Sequence, residues 1–412
     1  MGSDSIGNKS VSADTTDAFG FCPIRQLPNE ITSEIFIHCV DDDPDISSPE
    51  LPPTPAIALS QVCRGWRAIA LALPRLWNAL NLNNPSSDLI SICIARSGQH
   101  PLSLRLRTCN KDAFDVASQF QARWQAVSIG STWDKYLEMA CGDYAEQLPL
   151  LRTLVLELTT PPEAPQDRSN LLSFFGAAPL LQDLCLRNLS PFVIKAPFLQ
   201  LTTFRTYELC PWELLKVVEK STALVTCVFL NTKSNPRAYL NSHVTHEALK
   251  SLHLHDTHYL SLLHDFLKRS ECPLEHLHIS DYFNETELLD CLEATPIVTA
   301  LTLSTTLITP SSLILAWLVD FPTFLPNLTS LEFRVAGHEW SRKTLVDMLW
   351  SRWHPDNSAG YGILQTDDDG EHAQLRTFKL SCRMAMDDAN WRRVQTLRKE
   401  GMTIEIDREG GS

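Results

Sequence analysis

The chain lacks the short motifs that mark the commonest catalytic sites. Its 412 residues contain no G-x-x-x-x-G-K-[ST] phosphate loop, no G-x-G-x-x-G turn, no G-x-S-x-G elbow and no H-E-x-x-H zinc motif. Each of these motifs places a backbone turn, a nucleophile or a metal ligand where a particular chemistry needs it. We therefore expect a protein that is not an enzyme and that has no catalytic residues, no cofactor and no metal.

Positive charge is also scarce. The 35 Lys and Arg residues are outnumbered by 49 Asp and Glu residues, which gives a formal net charge of −14. This balance opposes sequence-independent binding to nucleic acid or to an anionic membrane. No apolar run reaches the roughly eighteen residues that a membrane span needs, and the first twenty residues have no apolar signal core. We expect a cytoplasmic or nuclear protein without nucleic-acid or membrane partners.

The twelve cysteines include no CxxC pair, and many of them fall on apolar stripes. This usage differs from both a disulfide framework and a structural zinc site. It predicts reduced thiols in a hydrophobic core.

Two short helical patterns, separated by an acidic, proline-rich loop, lie near the N-terminus. The first, LPNEITSEIFIHCV, has Ile31 and Ile35 at helical spacing and Phe36 beside them. The second, AIALSQVCRGWRAIALALPRLWNAL, repeats apolar residues at three- and four-residue intervals, which predicts one continuous apolar face made of Leu59, Val62, Trp66, Ile69 and Leu73.

The order and spacing of LPNEI, IF, VCRGWR and LW resemble the F-box, a helical motif that docks onto a Skp-type adaptor. Two features depart from that family: Thr32 stands where Leu is usual, and the loop at 41–55 is longer. The resemblance implies that residues 23–82 form an F-box with an acidic insert at 41–55. It assigns adaptor contacts to Leu27, Pro28, Ile31, Ile35, Val62, Cys63 and Trp66.

The alternative is a small helical cap that packs on the domain behind it. A cap buries its apolar residues internally, whereas a docking helix leaves some of them exposed. Exposure of the apolar residues therefore distinguishes the two interpretations.

A nine-fold repeat occupies most of the rest of the chain. The pattern L-x-x-L-x-L, or a close variant, starts at residues 151, 181, 201, 224, 249, 274, 298, 328 and 375. Most successive starts are 20 to 30 residues apart, and the last two are 47 apart. This period resembles that of leucine-rich repeats, in which each unit adds one strand to a parallel sheet.

The resemblance implies an α/β fold, with an N-terminal helical F-box followed by a leucine-rich-repeat solenoid that has strands on its concave face and helices on its convex face. We expect the array at 148–406, an irregular linking region at 83–147, and tails at 1–22 and 407–412. PLSLRL and RWQAVSI predict weaker strands in the linking region. A doubly wound α/β domain is the alternative fold.

Strand alternation predicts a polar binding surface. If Leu252 and Leu254 face the core, His253 and His255 face the concave side, and the next repeat places His276 and His278 there too. His253 and His278 should then be neighbours, able to contact a protein partner or, alternatively, to form a metal or pH-sensitive site. The substrate-binding candidates are Arg187, Arg205, Tyr207, His253, His255, His276, His278 and Arg334.

Two functions follow from these expectations. In the first, the chain is the substrate-recognition subunit of a Skp, cullin, F-box ubiquitin ligase: it binds the adaptor and, through it, a cullin, and its repeats hold an unknown protein substrate. In the second, it is a repeat scaffold whose degenerate F-box recruits no ligase.

Overall fold

The structure is a computed structural model. It describes residues 27–39, 54–140, 147–159, 172–209, 211–232, 245–255, 260–280, 284–305, 312–321, 323–335, 341–354, 373–384 and 386–408. The tail at 1–22 and nearly all of the acidic insert lie outside these residues.

Thirteen strands form one parallel sheet that does not close on itself, and their order in the sheet is their order in the chain. They are β1 (Ala79–Asn83), β2 (Leu102–Arg107), β3 (Trp124–Ser131), β4 (Thr153–Leu158), β5 (Asp183–Arg187), β6 (Thr203–Leu209), β7 (Thr226–Thr232), β8 (Ser251–His255), β9 (His276–Ser280), β10 (Ala300–Thr305), β11 (Ser330–Val335), β12 (Thr377–Met384) and β13 (Thr403–Arg408). A doubly wound domain reverses its strand order at a switch point, and this sheet does not.

Twelve helices accompany the strands within the described residues. They are α1 (Asn29–Ile37), α2 (Pro55–Val62), α3 (Arg64–Leu71), α4 (Ser87–Arg96), α5 (Lys111–Ser118), α6 (Trp133–Ala140), α7 (Pro211–Lys220), α8 (Leu260–Ser270), α9 (Glu285–Glu293), α10 (Ser312–Asp320), α11 (Arg342–Trp353) and α12 (Asp388–Lys399). Of the helices described, none combines the length and the apolar character that crossing a membrane requires.

The repeat positions the strands as predicted. All nine motifs contain a strand, from β4 to β12, and the weaker strands expected after residues 101 and 123 are β2 and β3 of the same sheet. The second residue of each motif donates its backbone N–H to the equivalent carbonyl of the preceding unit, for example Lys250 to Val225 and Glu275 to Lys250, at 2.8–2.9 Å. This ladder, with the strand pairing, fixes neighbouring units in register.

The main hydrophobic core lies on one side of the sheet, and a small apolar cluster of Ala126, Val155 and Cys185 lies on the other. In β4, Leu154 and Leu156 are fully buried in the main core, and leucines at the equivalent positions of β5 are buried in the same way. Consecutive helices pack against each other from α8 to α12. Because each unit leaves its apolar face for its neighbours to cover, the units stabilise one another.

The N-terminal helices join the sheet directly. The Thr54 hydroxyl accepts the N–H of Asn81 in β1 at 2.9 Å and donates to the Asn81 carbonyl at 3.2 Å. Trp77 is buried and donates its indole N–H to the Ala70 carbonyl at 2.8 Å. The sheet therefore begins at Ala79, inside the segment at 23–82 that was predicted to be a helical F-box.

One prediction about these helices is wrong. The second pattern does not form one continuous apolar face, because the backbone of Cys63 is extended (φ −156°, ψ 173°) and separates α2 from α3. The Cys63 Sγ accepts the Trp66 N–H at 3.4 Å and so caps α3. Val62 consequently points to solvent and is 60% exposed.

Candidate functional site

Helix α1 carries an exposed apolar surface. Ile31 and Ile35 are four residues apart, so they share one side of the helix, and both are exposed; Leu27, which precedes the N-cap Pro28, is exposed as well. We call these three residues the helical patch. The other side of α1 is buried: Phe36 packs edge-on against Trp66 with ring centroids 4.9 Å apart. A cap that only covers the domain would leave no such patch, so the exposure favours docking.

The environment of Thr32 shows how the chain accommodates threonine where the F-box pattern usually has leucine. The Thr32 side chain is only 3% exposed and its hydroxyl donates to the Pro28 carbonyl at 3.2 Å. A buried hydroxyl needs a partner, and this local bond supplies it. The position usually occupied by Leu therefore remains a core position in this chain.

The other residues assigned to adaptor contacts differ in exposure. Pro28, Val62 and Cys63 are exposed, whereas Trp66 is half-buried against Phe36. Leu71, an exposed apolar residue in α3, was not among the predicted contacts. The sequence did contain a signal for it, because Leu71 is a large apolar residue outside the apolar face predicted for the second helical pattern.

The opposite face of the sheet, away from the core, is mostly polar. We call it the polar sheet face and define it by the strand residues that alternate with the core leucines. Its middle row runs across the strands through Cys185, Arg205, Val228, His253, His278, Thr302, Glu332 and Lys379. The predicted alternation therefore matches the strand register.

The histidines come together at the centre of this face. His253 and His278 are register partners on β8 and β9, and their ring centroids are 5.3 Å apart. His276 and His255 lie on the same two strands, two residues before His278 and two residues after His253 respectively. Within the described residues, no group of three or more His, Cys, Asp or Glu side chains is arranged to hold a metal ion.

The environment of the two central imidazoles disfavours their charged forms. Partial burial, then the neighbouring His276 and the Arg334 guanidinium, lower the pKa of His253. Burial, then His253 and Arg334, lower the pKa of His278 to about 4. Both rings are therefore neutral at pH 7.

Arg334 is held in place by a neighbouring carboxylate on the same strand. It binds Glu332 with two contacts, Nε to Oε1 at 2.7 Å and Nη2 to Oε2 at 3.2 Å. This pairing lowers the pKa of Glu332 and raises that of Arg334. A two-point Arg–carboxylate contact fixes the orientation of the guanidinium plane.

A second polar group lies on β5 and β6. The Arg187 guanidinium lies over the Tyr207 ring, 4.7 Å from its centroid, and Arg205 forms an ion pair with Asp183 at 3.1 Å. Cys185 is fully buried beside them, and burial raises the pKa of its thiol to about 11. The substrate-binding candidates thus form two groups, one at β5–β6 and one at β8–β11, with β7 between them.

Comparison with known proteins supports the N-terminal assignment. The F-box-like family model matches residues 24–83, nearly the same segment as that expected from the sequence. A search of curated proteins finds no match. The chain therefore carries an F-box-like domain, followed by an open α/β repeat architecture with a thirteen-stranded parallel sheet.

Proposed function

We propose that this chain is the non-catalytic substrate-recognition subunit of a Skp, cullin, F-box ubiquitin ligase in the cytoplasm or nucleus. The F-box-like domain binds a Skp-type adaptor and, through it, a cullin. The sheet is a leucine-rich-repeat solenoid whose polar face binds a protein substrate.

The helical patch carries the first part of this proposal. F-box domains generally bind Skp-type adaptors, and an adaptor needs an accessible apolar surface on the domain. Ile31 is 49% exposed although Thr32 beside it is buried. Exposing isoleucine to water while burying threonine opposes the hydrophobic effect in the free chain, and binding of a partner to this surface removes that cost.

The sheet supports the second part. Parallel strands in strict chain order, built from nine copies of one leucine motif, are the arrangement that leucine-rich repeats produce. Its polar face presents Arg, Tyr and His side chains, and Arg and Tyr are enriched at protein interfaces. This composition suits a protein ligand better than an apolar small molecule.

Two buried thiols, those of Cys185 and Cys227, are unsuited to act as nucleophiles. A cysteine nucleophile needs a lowered pKa, but burial raises the pKa of Cys227 to about 12 and that of Cys185 to about 11. In this proposal the ubiquitin-transfer chemistry takes place on other subunits.

The decisive experiment is co-purification with a Skp-type adaptor and a cullin. Replacing Ile31 and Ile35 together with Ala should reduce adaptor capture at least tenfold if this pair is a hot spot of the interface, because hot-spot residues cost about 2 kcal/mol or more when truncated. The matched control replaces Ile92 and Ile297 with Ala, since these isoleucines have nearly the same exposure (48% and 41%, against 49% and 40%) and lie outside the F-box-like domain.

The control should retain adaptor binding. If wild-type chain captures no adaptor, the scaffold function replaces the ligase function. Equal adaptor capture by the two double variants would show that the helical patch is not the docking surface.

A further inference from the structure

The centre of the polar sheet face combines two neutral imidazoles with an unused hydrogen-bonding atom. His253 and His278 lie ring beside ring, 5.3 Å apart. The Nε2 of His278 is shielded from water and has no hydrogen-bond partner among the described residues. Leaving such an atom unpaired costs about 1–3 kcal/mol, so a ligand that supplies a partner gains that free energy.

The charged and titratable groups around this pair come from three strands. His253 and His255 lie on β8, His276 on β9 beside His278, and Glu332 and Arg334 on β11. Strand β7 lies beside β8, and β10 lies between β9 and β11. The residues of these two strands that face the pair include Val228, Thr302 and Ser304, which carry no charge.

Arg334 and Glu332 are the charged groups that act on the two imidazole rings. Besides burial, Arg334 lowers the pKa of both His253 and His278, and Glu332 opposes this effect at His278. Glu332 is already engaged by the two contacts from Arg334. Arg334 therefore places a guanidinium close enough to influence both rings, and a guanidinium together with imidazole N–H donors suits an anionic ligand better than a cation.

We propose that His253, His278 and Arg334 form the anchoring point for a carboxylate of the substrate, and that binding of this carboxylate is accompanied by uptake of one proton by the histidine pair. The proposal rests on the proposed function of the polar face as the substrate surface. The shared chemistry is a peptide carboxylate, from either an acidic side chain or a chain terminus.

The proton balance is simple. The free pair is neutral, and an anion within about 4–6 Å favours the charged form of an imidazole by roughly one to three pKa units. The Cβ–Cγ torsion of His278 has a broad energy minimum, so the ring can rotate at little cost and bring a ring nitrogen to the ligand. A proton from solvent then occupies the imidazole and forms a charge-assisted hydrogen bond with the carboxylate oxygen.

Coupled proton uptake makes binding depend on pH. In the free chain His278, with a pKa of about 4, stays neutral down to about pH 5, whereas in the complex it is protonated below its raised pKa. Affinity should therefore rise as the pH falls, by about tenfold between pH 7.5 and 5.5.

Three peptide probes test the ligand chemistry with the full chain. Capped triglutamate offers side-chain carboxylates, uncapped triglutamine offers only a terminal carboxylate, and capped triglutamine offers neither. With histidine-selective NMR labelling, a carboxylate probe should shift the imidazole signals of His253 and His278 toward their protonated positions. Capped triglutamine should leave them unchanged, and whichever carboxylate probe acts identifies the source.

A matched substitution locates the site. His253→Gln with His278→Gln should weaken binding of the active probe at least tenfold at pH 5.5 and abolish its pH dependence. His264→Gln serves as the control, since His264 lies on α8 and bonds the Asp290 carbonyl, away from the polar face. Arg334→Gln should weaken binding while leaving both imidazoles in place.

Equal binding of all three probes, or carboxylate binding without any pH dependence, would overturn the proposal. Adaptor co-purification is measured separately on the same variants. Loss of probe binding does not affect that readout, so failure of the anchoring point and failure of the ligase function are distinguishable.

Discussion

Ile31 and Thr32 are neighbours in α1, yet the isoleucine is half exposed and the threonine is buried. The helix therefore places an apolar side chain in water and a polar one in the interior. The Pro28 carbonyl satisfies the Thr32 hydroxyl, so the inversion is compatible with folding. The result is an exposed apolar surface on the F-box-like domain, which is the adaptor surface in the proposed function.

This arrangement predicts that stability and adaptor binding can be separated by mutation. Phe36 is 1% exposed and packs on Trp66, so Phe36→Ala should lower the free energy of unfolding of the F-box-like region by about 3–5 kcal/mol. Ile31→Ala should change it by only about 0.5 kcal/mol. Chemical denaturation followed by tryptophan fluorescence measures both effects, and equal losses for the two variants would contradict the assignment of buried and exposed sides.

Helical periodicity could not separate these two sides. Ile31, Ile35 and Phe36 are all apolar and close to helical spacing, so the sequence shows where a helix forms but not which apolar residues a neighbour covers. The break at Cys63 was also hidden, because its extended backbone is a single-residue feature inside an otherwise helical pattern.

The sheet was more predictable, because its signal is repeated. Nine copies of one motif gave β4 to β12, and the same register made His253 and His278 neighbours. The two end strands were missed. β1 follows the LW of the F-box pattern almost at once, so its ALNLN sequence looked like the end of that domain. β13 begins inside the predicted array but was not among the nine motifs, and it continues two residues past the array to Arg408.

The position of β1 leads to a prediction about truncation. A fragment that starts at Pro85 removes β1 and the buried Trp77, Leu80 and Leu82, and so exposes the core beneath them. A fragment that starts at Pro74 keeps these residues. We expect the longer fragment to melt several degrees higher and to remain monomeric, as measured by thermal circular dichroism and size-exclusion chromatography. The two fragments behaving alike would show that β1 contributes little to the sheet.

Arg352 gives a second stability prediction, independent of the F-box-like domain. Its buried guanidinium donates to the carbonyls of Leu318 at 2.8 Å, Phe321 at 3.2 Å and Phe324 at 2.7 Å, and burial lowers its pKa to about 10. Arg352→Met removes these donors from the carbonyls of Leu318 and Phe324, whereas the Phe321 carbonyl keeps the Phe324 N–H at 3.0 Å, and the loss should cost about 3 kcal/mol.

Arg352→Lys should recover only part of this loss, because an ammonium group cannot reach the same carbonyls with a planar fork. Hydrogen exchange of the backbone amides between residues 318 and 328 would show whether the damage is local. Arg393→Met, at a half-exposed ion pair with Asp347, is a suitable control and should cost less than about 1 kcal/mol. A similar loss for both variants would contradict the role assigned to Arg352.

The last prediction concerns the pH dependence of stability in the absence of ligand. Burial and its cationic and imidazole neighbours hold the pKa of His278 near 4, below the ordinary value of 6.5 that applies when the chain is unfolded. Above pH 6.5 the ring is neutral in both states and contributes no pH dependence. As the pH falls from 6.5 towards 4, the unfolded chain binds a proton that the folded chain excludes, so stability decreases.

Wild-type chain should therefore lose more stability between pH 7 and 5 than His278→Gln, by on the order of 1 kcal/mol after allowance for the ring's partial exposure. Chemical denaturation at the two pH values measures this difference, and comparing the variants cancels the contributions of the other titrating groups. An identical pH dependence in wild type and His278→Gln would mean that His278 is protonated as readily in the folded chain as in the unfolded chain, which would contradict the neutral histidine pair at the centre of the polar sheet face.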